Sequence, residues 1–158
     1  MTKETFEKLL KQNEIYLKSS KTKTSDSQVL EIYAYIIQHE NKDSDWWIED
    51  HGTNDIISII QKSDEDIFNR IQEDIFNWNS EQIELFARTL LSNDYKDYKV
   101  NERIRLYLEL LDIQRTDYDL YDTFYSANID LKLAEKELLI RLAEKLKFRS
   151  VEELLNSI

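Results

Sequence analysis

The chain has 158 residues and a net charge of −11, and it contains no cysteine, no proline and a single glycine. The missing cysteine excludes disulfides, thiolate nucleophiles and cysteine-ligated zinc or iron–sulfur sites, and it favours a reducing, cytoplasmic compartment. Long helices exclude proline and glycine from their interiors, whereas sheets and turn-rich loops use both. The composition therefore predicts a single all-α domain over residues 1–158.

The acidic side chains are concentrated in the middle of the chain. Residues 24–131 carry 24 acidic and nine basic side chains, a net charge of −15, whereas both flanking segments are weakly basic. An acidic surface repels nucleic-acid phosphates, so we expect no direct nucleic-acid binding, but it attracts a basic protein. No apolar run has the length of a membrane span, so we expect no membrane partner. Solubility alone would also explain the acidic middle.

Helical periodicity predicts eight or nine helices joined by short polar connectors. The first covers about 3–18, and the second, "QVLEIYAYIIQHE", is apolar almost all round and should be central. Ser44 should cap a short helix at 45–51, and Gly52 should end this helix as a left-handed residue. The later segments cover about 54–61, 64–78, 80–92, 100–113, 117–126, 130–147 and 150–157. The other predicted N-caps are Ser25, Ser63, Asn79 or Ser80, Thr116 and Ser150.

Short connectors favour antiparallel helix neighbours. The pairs 64–78 with 80–92, 100–113 with 117–126, and 130–147 with 150–157 can form helical hairpins, packed as a HEAT-like stack or as an irregular bundle. No sequence repeat at a fixed period supports the stack, so both arrangements stay open.

The chain offers little for catalysis or metal binding, and we predict no enzyme, no cofactor and no metal site. His39 and Glu40 begin an HExxH-like string, but Asp43 stands where the second histidine is needed. A calcium loop from Asn41 fails at Trp46, where the turn needs glycine, and at Gly52, where it needs glutamate. A small helical enzyme remains the least favoured alternative.

Two clusters combine carboxylates with large aromatic rings, a mixture that suits the lysines and arginines of a basic partner. Adjacent residues of a helix point about 100° apart, so one of Trp46 and Trp47 should pack inward while the other lies at the surface. In the second cluster, Leu120, Tyr121 and Phe124 should share a core face. The candidate partner-binding residues are Asp43, Asp45, Trp46, Trp47, Glu49, Asp50, Asp117, Asp119, Tyr121 and Asp122.

The segment "DIFNWNSEQIELFARTLL" (74–91) places a tryptophan before an Asn/Ser cap and an amphipathic helix that ends in Leu-Leu. In this general pattern, over about 60–150, the chain resembles HEAT-like helical-hairpin proteins of bacteria. Some of these are immunity proteins of polymorphic or contact-dependent toxin systems. The resemblance implies a protein that sequesters a cognate toxin, such as a basic nuclease domain. It does not assign a role to any individual residue of this chain.

The sequence thus predicts a protein-binding module, with a toxin-neutralising immunity protein as the leading hypothesis. The main alternative is a helical-repeat adaptor or regulatory scaffold without a toxin partner, which would bind through an apolar groove between helical pairs.

Overall fold

In a computed structural model of the chain, the described residues are 1–92, 95–113 and 120–158, without the side chains of Ile48 and Asp50. This part of the chain is helical and contains no β-strand, which confirms the predicted all-α class. A π-helix covers Trp46–Asp50, and a 3-10 helix covers Leu131–Leu133. The ten α-helices in the described ranges are α1 (Lys3–Gln12), α2 (Glu14–Ser19), α3 (Ser27–His39), α4 (Gly52–Gln61), α5 (Ile67–Ile75), α6 (Ser80–Leu90), α7 (Val100–Leu111), α8 (Leu120–Phe124), α9 (Lys136–Lys145) and α10 (Val151–Asn156).

The predicted first helix, 3–18, is wrong as one continuous element. Asn13 is extended, at φ −147° and ψ 120°, and it separates α1 from α2. Its side-chain oxygen accepts the backbone N–H of Ile15 at 2.9 Å. Asparagine favours helix caps because its side chain satisfies N–H groups that have no partner inside the helix. This local hydrogen bond makes Asn13 the start of a second helix.

The predicted helix at 130–147 also begins later than expected. Asp130 accepts the backbone N–H of Lys132 at 3.3 Å and starts the short 3-10 turn. Ala134 is then extended, and α9 begins at Lys136. The aspartate side chain bonds its own local backbone, which competes with the helical hydrogen-bond pattern.

Two of the predicted N-caps are confirmed by their hydrogen bonds. At the start of α6, Asn79 Oδ1 accepts the N–H of Gln82 at 2.9 Å, and Gln82 Oε1 accepts the N–H of Asn79 at 3.1 Å. These reciprocal bonds form a capping box with asparagine in place of serine. At the start of α10, Ser150 Oγ accepts the N–H of Glu153 at 3.1 Å.

Other predicted caps are wrong, and the predicted cap Thr116 lies outside the described residues. Asp26, not Ser25, begins α3, because its carboxylate accepts two backbone N–H groups of the first turn. Ser63 does not cap α5, since its hydroxyl donates back to the carbonyl of Ile59 at 3.0 Å. Aspartate is as good an N-cap as serine, and it also carries the negative charge that the helix N-terminus favours.

The chain divides into two compact units, an N-terminal unit (Met1–Leu85) and a C-terminal unit (Phe86–Ile158), and the division falls within α6. Whether the whole chain behaves as one domain remains a prediction. In the N-terminal unit, α3 contacts α1, α2, α4 and α5. Seven of its residues are buried, which agrees with the central position predicted from its all-round apolar sequence.

A buried polar network also supports the N-terminal unit. The Gln82 side chain is fully buried, and its Nε2 donates to Glu40 Oε2 at 3.1 Å and to the Ser19 carbonyl at 3.0 Å. Its Oε1 accepts the hydroxyl of Tyr33 at 2.9 Å. Burial, with the nearby Glu40 charge, raises the pKa of Tyr33 to about 12. The network joins the end of α2, the end of α3 and the start of α6, and it keeps Tyr33 neutral as a donor.

In the C-terminal unit, α7 contacts α8 and α9, and α9 contacts α10. The α7–α8 and α9–α10 contacts join helices that follow each other in the sequence, whereas α7 and α9 are not consecutive. Their packing as HEAT-like hairpins stays a prediction.

Arg103 of α7 is fully buried, although arginine is almost never buried unless it is paired. Within the described residues, its guanidinium donates to four backbone carbonyls, those of Leu90, Ser92, Tyr95 and Tyr98, at 2.7–2.9 Å. Burial lowers the pKa of Arg103 to about 10, so the side chain remains charged at neutral pH. It fastens the end of α6 and the connector after it to α7.

We expect Arg103→Met to destabilise the protein by at least about 2 kcal/mol. Removing a buried charge relieves its desolvation cost, but four carbonyls lose their donor, at about 1–3 kcal/mol for each that stays unsatisfied. Chemical denaturation with a far-UV circular dichroism readout measures the change. Arg105→Met is the matched control, because the half-exposed Arg105 pairs only with the half-exposed Glu135; it should cost about 0–1 kcal/mol. Equal effects of the two substitutions would contradict the assigned role of Arg103.

Candidate functional site

The segment from Asp43 to Gly52 joins α3 to α4 and contains the first predicted cluster. Asp43, not Ser44, caps its first turn, because Asp43 Oδ1 accepts the N–H of Trp46 at 2.9 Å. The segment then continues as the π-helix, in which the His51 N–H donates to the Trp46 carbonyl, five residues back, at 3.0 Å. Single turns of π-helix are rare and occur frequently at functional sites.

Trp47 is the buried member of the tryptophan pair, with an exposed fraction of 1%. Its indole Nε1–H donates to the His39 carbonyl at 3.1 Å, at the end of α3. As predicted, one tryptophan packs inward, but Trp47 cannot then serve as a surface contact. Trp46 is partly exposed, which makes it the aromatic side chain of this segment that a partner can reach.

Gly52 does not have the predicted left-handed conformation. It is the first residue of α4, and it has no positive φ. A Cβ atom at this position would lie 2.2 Å from Trp47 Cε3, far inside van der Waals contact. The glycine is therefore needed because the Trp47 ring packs directly on its backbone, a role that glycine serves wherever two groups approach closely.

The rings of two α3 residues lie beside Trp46 in planes nearly parallel to its own. The His39 ring stacks on Trp46 at 5.0 Å with an interplanar angle of 12°, and the Tyr35 ring lies 4.3 Å from His39. The Tyr35–Trp46 centroid distance is 6.4 Å at 18°, so the three rings form a triangle instead of a straight column. Tyr35 and His39 lie four residues apart on α3, which places them on one helix face. We call Tyr35, His39 and Trp46 the aromatic triangle.

Hydrogen bonds fix the orientation of two of these rings. His39 Nδ1 lies 2.8 Å from the Tyr35 carbonyl and donates to it. The Tyr35 hydroxyl donates to Asp55 Oδ2 on α4. Burial and the bond to Asp55 raise the pKa of the Tyr35 phenol above its usual value. The bond of Nδ1 to the Tyr35 carbonyl holds the His39 ring in its stacked position against Trp46.

Exposed charged residues lie close to the aromatic triangle in the sequence and on α4. Asp43, Asp45 and Glu49 are exposed acids within three residues of Trp46, and Asp55 is exposed on α4. The side chain of Asp50, which was also predicted to bind a partner, lies outside the described part of the structure. The Lys42 ammonium lies over the Trp46 ring, 5.9 Å from its centroid. The surface formed by the aromatic triangle, Asp43, Asp45, Glu49 and Asp55 is called the acidic–aromatic surface below.

The second predicted cluster is only partly visible, because Asp117 and Asp119 lie outside the described residues. Tyr121 and Asp122 are exposed on α8. Leu120 and Phe124 are buried as predicted, but Tyr121, with an exposed fraction of 44%, does not share their core face. This position leaves Tyr121 accessible to a partner, so its predicted contact role stays open.

The described residues were also compared with the requirements of a metal site and of a membrane-spanning helix. Within the described residues, no three histidine and acidic side chains are grouped as a metal ion would require. None of the helices in the described part of the chain has the length and apolar character needed to cross a membrane.

Sequence reasoning missed Tyr35 and Asp55 as parts of this site and considered His39 only as the start of an incomplete HExxH-like string. The spacing of Tyr35 and His39 on α3 was available as a signal. The bond from Tyr35 to Asp55, 20 residues away, depends on the packing of α3 against α4 and had no sequence signal.

No family model, curated protein or solved structure is similar enough to this chain to count as a match. The acidic–aromatic surface must therefore be interpreted from its own chemistry.

We expect Gly52→Ala to destabilise the protein by about 1–3 kcal/mol, because the new methyl group overlaps the Trp47 ring. Alanine is the better helix former by about 1 kcal/mol, which offsets part of this cost. Thermal or chemical unfolding measures the net change. Gln61→Ala, at the exposed last residue of α4, should change stability by less than about 0.5 kcal/mol. If Gly52→Ala were neutral or stabilising, Trp47 would not be packed on this backbone.

Proposed function

We propose that this protein binds a basic protein partner through the acidic–aromatic surface and acts as an immunity protein that neutralises a cognate toxin. The observation that carries the proposal is the position of Trp46, a partly exposed tryptophan that stacks on His39 and has three exposed acids within three residues in the sequence. Tryptophan is enriched among the residues that dominate binding energy at protein interfaces.

The local structure favours a preformed contact. Trp46 is fixed by the His39 ring on α3, by the Asp43 cap at its own N–H and by an edge contact with Trp47 at 5.5 Å. A side chain that is already ordered loses little conformational freedom when a partner binds. The acids add attraction for lysine and arginine, which speeds association and orients the partner.

Two of the acids are available for such pairing. Asp45 and Glu49 form no ion pair within the described part of the chain. Asp43 and Asp55 each use one oxygen in a local hydrogen bond, so they also help to maintain the surface. Asp45 and Glu49 are therefore the residues whose charge can be changed with the least effect on folding.

The toxin partner, a cytoplasmic location and a HEAT-like hairpin packing belong to the same proposal. A toxin nuclease needs a basic surface to bind phosphate, and an acidic inhibitor that covers this surface would block substrate access. The general resemblance of 74–91 to helical immunity proteins supports this choice over an adaptor without a toxin partner.

The partner to test is the product of the gene next to the one that encodes this chain. We expect its association rate to fall at least about tenfold between about 0.05 M and about 0.5 M salt, because screening removes the attraction between the two surfaces. Stopped-flow fluorescence or biolayer interferometry measures this rate. A salt-independent rate, or no binding, would contradict the proposal.

The double variant Asp45→Lys and Glu49→Lys should lower the association rate by about tenfold and weaken protection of cells that express the toxin. The matched control is Glu65→Lys and Glu73→Lys, which makes the same change in net charge at exposed residues of other elements. The control should change the rate by about twofold or less. Equal losses in the two variants would show that net charge, and not this surface, governs binding.

A further inference from the structure

We propose that the exposed face of Trp46 is a binding site for the guanidinium group of an arginine on the partner. This inference rests on the proposed function, since it names the side chain that the acidic–aromatic surface takes from its basic partner. It is drawn from the geometry at Trp46 and from the position of Lys42.

The chain itself places a cation at this ring. The Lys42 ammonium lies 5.9 Å from the Trp46 centroid, within the distance of a cation–π contact. Three exposed carboxylates, those of Asp43, Asp45 and Glu49, are close in sequence, yet Lys42 forms no ion pair with any of them. The Trp46 ring therefore lies beneath a cation of its own chain, at a position that a partner's cation can take.

The shape of the surface favours arginine over lysine. Trp47 meets Trp46 edge-on, and the His51 ring, 5.6 Å from Trp46, is tilted by 49°. The rings of Tyr35 and His39, however, lie within 18° of the Trp46 plane. A planar guanidinium can stack in the same orientation and still direct its N–H groups outward to carboxylates. An ammonium group has no plane to stack, and it is more strongly hydrated.

Free carboxylates are available to complete the site. Asp45 and Glu49 are exposed and unpaired among the described residues, and neither is the cap of Trp46. A guanidinium on the Trp46 face could therefore stack and form a charge-assisted hydrogen bond at the same time. Lysine could use only one of these interactions well, which gives the site its selectivity.

The test compares two synthetic peptides of equal length and charge, one with arginine and the other with lysine at every basic position. Binding is measured at low salt by the chemical shifts of the Trp46 indole. We expect the arginine peptide to bind about two- to fivefold more tightly. Equal affinities for the wild-type protein would overturn the inference.

Substitutions at Trp46 show whether this ring carries the preference. In Trp46→Leu, binding is measured by the backbone amide shifts of the same segment. This substitution should remove the difference in affinity between the two peptides and keep the salt-dependent binding that both peptides share. Trp46→Phe retains a ring and should keep part of the preference, so it serves if Trp46→Leu fails to fold. Persistence of the full preference in a folded Trp46→Leu protein would overturn the inference.

Lys42→Gln supplies a second readout. This substitution should increase the affinity for the arginine peptide relative to the lysine peptide, because it removes the ammonium group that lies over the Trp46 ring. Lys62→Gln removes the same charge from an exposed residue after α4 and should strengthen both peptides without changing their ratio. An unchanged ratio in Lys42→Gln would count against the site.

These experiments use no toxin, so the two proposals can fail separately. An arginine preference at Trp46, combined with no binding of the neighbouring gene's product, would support the guanidinium site and contradict the proposed toxin partner. Tight, salt-dependent toxin binding without an arginine preference would support the proposed function and contradict the guanidinium site.

Discussion

The packing of Trp47 against Gly52 is the contact on which the acidic–aromatic surface depends. The buried indole donates to the last carbonyl of α3, and its ring lies directly on the backbone at the start of α4. It thereby fixes both ends of the segment that contains the π-helix. Because Trp46 is the preceding residue, burying Trp47 directs Trp46 towards the rings of Tyr35 and His39 and leaves part of it in contact with water. A substitution that displaced Trp47 would change the presented surface even if the acids were intact.

Electrostatics and shape have separate roles at this surface. Many acidic proteins owe their charge only to solubility, and a net charge cannot identify a binding site. Here the charge lies beside an ordered tryptophan, and the unpaired Asp45 and Glu49 are distinct from the acids that support the fold. Asp26 and Asp74, for comparison, use their carboxylates to hold the 20–26 connector and the start of α3. The distinction between structural and available acids therefore comes from their hydrogen-bond partners.

The sequence predicted the helical class well because that class depends on local composition and periodicity. The central position of α3 and the caps Asn79 and Ser150 followed from the same local rules. The break at Asn13 was missed because its side chain accepts the backbone N–H of Ile15, and this bond caps a new helix where a continuous one was predicted. The role of Gly52 was also wrong, since the need for a missing Cβ arises from a tryptophan that packs on it and not from the backbone angle. Burial of Arg103 could not be predicted, because its four carbonyl partners meet only after the connector folds around it.

For the site itself, the sequence supplied the acids and the tryptophan pair but could not choose between Trp46 and Trp47. The two tryptophans are neighbours in one helical turn, and tertiary contacts with α3 and α4 determine which of them is buried. The candidates in 117–119 lie outside the described residues, so the second cluster stays a prediction.

Hydrogen exchange of the three indole N–H groups, followed by NMR, tests this assignment most directly. The indoles of Trp47 and Trp78 donate to the His39 carbonyl and to Asp74, whereas the indole N–H of Trp46 donates no hydrogen bond to the described residues. We expect rapid exchange and partner-dependent shifts for Trp46, with slow exchange for the other two. Protection of Trp46 in the free protein together with rapid exchange of Trp47 would contradict the account.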